Sequence, residues 1–115
     1  MSLALVCVAG IGIVLWRILT PEVVVINGSS TPVSQVTIHL PASRLVFNAL
    51  APGEKATIYY STSQTDGIYR YAIEFADAPT MRGSCGRVND SQYGKRFILT
   101  VNSPSATECE ESYKL

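Results

Sequence analysis

Residues 68–76, Ile68-Tyr69-Arg70-Tyr71-Ala72-Ile73-Glu74-Phe75-Ala76, alternate with a period of two. Tyr69, Tyr71, Ile73 and Phe75 fall on one side of an extended chain, and Arg70, Ala72 and Glu74 on the other, which is the mark of a strand with one buried face. The same rhythm runs outward in both directions. Upstream, residues 32–40 (PVSQVTIHL) put Val36, Ile38 and Leu40 on one face and Gln35, Thr37 and His39 on the other. Val23 to Ile26 is a β-branched run stopped by Asn27-Gly28-Ser29-Ser30, a turn composition. Leu45 and Phe47 mark a shorter strand that ends at the turn Ala51-Pro52-Gly53-Glu54. Residues 55–61 (KATIYYS) direct Ala56, Ile58 and Tyr60 inward, and Arg96 to Val101 (RFILTV) forms the last strand. With no amphipathic helix among them, these segments predict an all-β fold, an antiparallel β-sandwich of six or seven strands.

The chain of 115 residues is 47% hydrophobic and 16% charged, with 9 basic and 9 acidic residues. A balanced charge removes the electrostatic case for nucleic acid. The hydrophobic content is uneven, because residues 1–20 hold 15 hydrophobic residues and a single charge, Arg17. This segment reads as a transmembrane anchor, with Trp16 at the interface and Arg17 snorkelling. A signal peptide is disfavoured by the missing basic n-region and by the bulky residues after the run. A core helix is disfavoured by the missing polar face. The expected organisation is therefore an anchor over 1–20, a β-sandwich over 21–102 and an irregular polar tail over 103–115.

The order V-x-V-x-N-x-S, then VTIHL, LAPGEKATI, YRYAIEF and FILTV resembles small membrane-anchored immunoglobulin-like domains of Gram-negative bacteria. The resemblance spans residues 23 to 101. It implies an immunoglobulin-like antiparallel β-sandwich of six or seven strands and an envelope compartment, and no activity. The match to true immunoglobulin domains is weaker, since Tyr71 stands where the core cysteine belongs.

Cys85 and Cys109 are the two cysteines of the domain, Cys7 lying in the apolar segment. They lack metal-type spacing, and a disulfide between them is expected, which requires an oxidising compartment. That opposes Arg17, whose position by the positive-inside rule would keep the domain in the cytoplasm. The oxidising side is preferred, with the domain facing the periplasm or exterior of an inner-membrane anchor. His39, the only histidine, has Thr37 and Gln35 as strand neighbours and reads as solvent-facing; a hydrolase would have to use it as its base. Glu108, Glu110 and Glu111 read as a solvated cluster in the tail.

Residues 80–96 (TMRGSCGRVNDSQYGKR) form the candidate binding loop, carrying Arg82, Arg87, Tyr93, Lys95 and Arg96, because arginine and tyrosine favour protein interfaces. The expected role is non-enzymatic: a membrane-tethered extracytoplasmic sandwich acting by protein contact, as an accessory or subunit of an envelope complex, with no cofactor or metal and no nucleic acid. An immunity protein against a periplasm-acting toxin is the alternative within that class. A lipid- or glycan-binding domain is the alternative outside it, and would show an open apolar cavity or an exposed aromatic row.

Overall fold

The computed structural model describes residues 15–114. Eight strands form two four-stranded sheets: β1 (Glu22–Asn27), β2 (Val33–His39), β3 (Arg44–Phe47), β4 (Lys55–Tyr59), β5 (Gly67–Phe75), β6 (Met81–Val88), β7 (Lys95–Ser103) and β8 (Ala106–Tyr113). The first sheet has the order β4-β1-β7-β8 and the second β3-β2-β5-β6. All pairings are antiparallel except β1 with β7, which run parallel from Glu22 opposite Arg96 to Asn27 opposite Val101.

The alternation seen in the sequence fills the space between the sheets. Val23, Val25, Phe97, Leu99 and Val101 from the first sheet meet Val36, Ile38, Tyr69 and Ile73 from the second, all fully buried. The Tyr69 ring stacks on Phe97 at 3.9 Å and 12°, and its hydroxyl shares a hydrogen bond with the Tyr60 hydroxyl at 2.8 Å. Burial, first, raises both tyrosines above their ordinary pKa, so the pair stays protonated. At one end Asn27 closes the β1–β2 turn. Its amide donates to the carbonyls of Thr31 and Leu50, both at 3.0 Å, and its oxygen accepts from the Ser29 backbone and hydroxyl.

The fold corrects the expected class in two respects. The first is the transmembrane helix. Among the described residues the helical stretch covers 15–19, and no helix is long and apolar enough to cross a membrane. The rest of the expected anchor, residues 1–14, lies outside the described residues. The physical reason is that the expected span counted Trp16 to Leu19, and the sandwich engages those residues itself. Trp16 packs against Tyr59 with ring centroids 5.2 Å apart, the Leu19 carbonyl accepts from Gly94 N at 2.7 Å, and Lys114 Nζ donates to the Arg17 and Thr20 carbonyls.

The second correction is the strand number. The polar segment expected as an irregular tail contains β8, which pairs with β7 from Lys95 opposite Tyr113 to Ser103 opposite Ala106. Much of the expected binding loop is β6. Its glycines have specific uses: a Cβ at Gly83 would lie 2.3 Å from the Tyr71 hydroxyl, and Gly86 takes φ +68 at a bulge between Cys85 and Val88.

Candidate functional site

The edges β6 and β8 lie side by side, one from each sheet. Cys85 and Cys109 are paired across them with Cα atoms 6.5 Å apart, inside the range a disulfide spans. The Tyr71 hydroxyl reaches Thr107 Oγ1 at 2.8 Å across the same gap. Beside the pair, Lys95 is 3% exposed, and its ammonium meets Glu111 Oε1 at 2.8 Å, Gln92 Oε1 at 3.2 Å, the Arg87 carbonyl and the face of the Tyr69 ring. Lys95 is therefore an internal cation with every donor engaged, and it is unavailable to a partner.

The remaining residues of the expected loop separate. Arg96, one position from Lys95, points to the outer face of the first sheet, where its Nε meets Glu22 Oε1 at 2.6 Å. Tyr93 is exposed in the β6–β7 turn at the end of the molecule. Only Arg82 and Arg87 share a surface, the outer face of the second sheet. Strand geometry divides the set, because successive side chains leave a strand on opposite sides.

On that outer face the two arginines have company that the linear sequence does not group. The register places His39 opposite Arg44 on one side and Arg70 on the other, while Arg82 lies opposite Ala72, two residues along the strand from Arg70. A shallow groove is lined by His39, Arg70, Arg82 and Ser84, and a neighbouring one by Ile68, Asp66, Arg87 and Asn89. Arg44, Arg70, Arg82 and Arg87 are all exposed, and among the described residues none of them enters an ion pair. Two acids share this face: Glu74 sits opposite Gln35, and Asp66 lines the grooves beside Arg70 and Arg87 without forming an ion pair with either. The outer face of the first sheet has the opposite character at its β8 edge, where Glu108 and Glu110 stand opposite Thr100 and Ile98. The zero net charge thus hides a separation of charge between two faces. Guanidinium groups spread over a rigid sheet offer bidentate donors to carboxylates or phosphates. His39 has no side-chain hydrogen-bond partner among the described residues, and its nearest cross-strand neighbours are cations rather than a nucleophile.

Glu111 connects this architecture to pH. Burial on its own would raise its pKa, but hydrogen bonds from Lys95 and the Arg87 backbone N–H, with the Lys95 charge, hold it below the ordinary 4.5. A carboxylate depressed by folding contributes stability that is complete above its unfolded pKa and disappears as pH falls through the folded value. The expected result is a urea midpoint that declines as pH drops below 4.5, the reference value, and a shallower decline in E111Q. Parallel slopes for the two proteins in a urea series across acid pH would show that other carboxylates carry the effect.

No family model matches the sequence, and no curated protein matches it. Among solved structures, the chain is similar to one described as the NMR structure of the protein from Eubacterium rectale, at 10% identity and a TM-score of 0.53, over 79% of this chain and 86% of that one. At that identity the likeness concerns the fold alone.

Proposed function

We propose that this chain is a non-enzymatic, extracytoplasmic protein-contact domain, an accessory or subunit of a cell-envelope complex, which docks an acidic partner surface on the outer face of its second sheet. The observation that carries this reading is the set of four exposed arginines, Arg44, Arg70, Arg82 and Arg87, on one rigid face and, among the described residues, outside any ion pair. Complementary charge steers encounter and selects partners, and arginine is enriched at interfaces. The compartment is supported by the Cys85–Cys109 pair, since Cys109 is exposed and a reducing cytosol would keep such a pair open. The grooves beside the arginines are shallow surface features, which suits a flat protein contact better than enclosure of a small molecule.

The test places a photo-crosslinking amino acid at Ala72, in the centre of the face, and at Thr57 on the outer face of the first sheet, in cells of the source. The expected result is a discrete adduct from position 72 and none from 57. Reversal of charge in R44E/R70E/R82E/R87E is expected to cut the adduct by at least about tenfold, equivalent to 1.4 kcal/mol. Retention of disulfide formation on non-reducing gels checks folding of that variant. An adduct of undiminished yield sinks the assignment of the face.

A further inference from the structure

The exposed large hydrophobic side chains are not spread evenly. Leu15, Trp16, Leu19, Tyr59, Tyr93 and Tyr113 gather at the end of the sandwich where the chain enters β1, and Trp16, Tyr93 and Tyr113 are 56%, 58% and 56% exposed. The pairing explains the convergence. Glu22 at the start of β1 lies opposite Tyr59 on β4 and Arg96 on β7, and Lys95 lies opposite Tyr113 on β8. The β6–β7 turn with Tyr93 closes the same end, tied to residue 19 through Gly94 N and to Lys114 through the Gly94 carbonyl. At the opposite end, the β1–β2, β3–β4, β5–β6 and β7–β8 connections contain none of these exposed side chains.

The collar is amphipathic in a particular way. Four of its members are aromatic, and three of these are tyrosines. Its cations are Arg17 and Lys114, with Lys114 Nζ 5.4 Å from the centre of the Tyr59 ring, and the acids at this end include Glu22, which is paired with Arg96, and Asp90 in the β6–β7 turn. Aromatic side chains with a polar tip, interleaved with Lys and Arg stems, are the composition that settles at the headgroup level of a bilayer. The chain outside the described residues adds a second argument. Residues 1–14 (MSLALVCVAGIGIV) carry no charge and join the domain at Leu15, in the middle of this collar. A partner protein would also suit tyrosines and basic stems, and what favours the bilayer as occupant is the uncharged run 1–14, which enters the domain within this collar.

We infer that this end of the sandwich is a docking surface for a phospholipid bilayer, with Trp16, Tyr59, Tyr93 and Tyr113 lying in the headgroup plane. The contact lies on the membrane and needs no spanning helix. It uses the end of the sandwich and not the outer face of the second sheet, whose Arg44, Arg70 and Arg87 lie toward that same end and whose Arg82 lies farther from it. It is independent of the arginine face and stands or falls separately.

Trp16 is the sole tryptophan, so indole emission reports one place at a time. The full-length chain is mixed with phosphatidylcholine–phosphatidylglycerol vesicles containing brominated phosphatidylcholine, a short-range quencher. The wild type reads position 16, and W16F/Y93W, W16F/Y113W and W16F/N102W read the far side of the collar and the opposite end. Quenching at 16, 93 and 113 with position 102 unaffected is the expected result. Bright emission at 93 and 113, whatever happens at 16, overturns the inference, because the apolar segment alone would then be reaching the lipid. Equal quenching at 102 overturns it as well. In addition, Y93S/Y113S, which leaves residues 1–14 and the core untouched, is expected to lower the vesicle-bound fraction, and an unchanged fraction would count against the collar.

Discussion

Replacement of Cys85 and Cys109 by serine is expected to lower the stability of the sandwich by about 3 kcal/mol, the loop-entropy value for a link of this separation, and its Tm by on the order of 15 °C. The loss has a location. β8 is the outermost strand of the first sheet, polar along nearly its whole length, with Thr107 and Ser112 half-buried and the other residues from Ala106 to Tyr113 exposed. Its ladder to β7 is complete, but it has little apolar surface to hold it there. The disulfide, the Tyr71–Thr107 hydrogen bond and the Lys95–Glu111 pair supply the attachment to β6 and to the interior. Amide exchange in β8 should therefore accelerate in C85S/C109S before exchange in β1 or β5 does. A global drop below about 1 kcal/mol, with β8 amides still protected, would show that the strand ladder alone secures this edge.

The same strand shows where sequence reading stops. Period-two apolar alternation revealed β5, β2 and β7, and their inward residues Tyr69, Ile73, Val36, Ile38, Phe97 and Leu99 are fully buried. β8 has no such alternation because its inward positions are Thr107, Cys109, Glu111 and Tyr113, residues that meet another edge rather than the centre of the core. An edge strand blunted by charge is stable for reasons that hydrophobic patterning does not record. β6 was masked by its glycines, which resemble loop signals in sequence but serve a tyrosine crossing and a bulge.

The candidate surface illustrates a different limit. Arg70 was legible as outward-facing and His39 as solvent-facing, yet their adjacency to Arg44 and Arg82 depends on strand register across three pairings. Register is a long-range property, so a reading along the chain grouped residues 80–96 by proximity in sequence. Lys95 is the instructive exception. In Lys95-Arg96-Phe97-Ile98-Leu99, the alternation already puts Lys95 in phase with Phe97 and Leu99, and the structure buries all three. A lysine in phase with a core is a signal for an internal ion pair, and its partner is an acid from the supposed tail.

Phe97→Ala is expected to be the most damaging single change considered, at about 4 kcal/mol, because it removes a fully buried ring and leaves a cavity that a β-sandwich cannot close. The ring stacks on Tyr69, and Lys95 Nζ lies 5.1 Å from the centre of that same tyrosine ring. Phe97, Tyr69 and Lys95 thus form a continuous column that runs from the core to the Glu111 carboxylate. Tyr69→Phe keeps the stack and the cation contact and loses only the hydroxyl shared with Tyr60, which is worth about 1 kcal/mol. Denaturant midpoints for the two variants separate the contributions: equal losses would mean that the hydroxyl pair, not the stack, organises this part of the core. The column makes a further demand. With Phe97 gone, Tyr69 is free to tilt and the floor under Lys95 loosens, so the hold on Glu111 should weaken. F97A should then show a flatter decline of stability below pH 4.5 than the wild type, and combining it with E111Q should cost less than the sum of the two single changes. Strict additivity would place Phe97 and the ion pair in separate units of the fold.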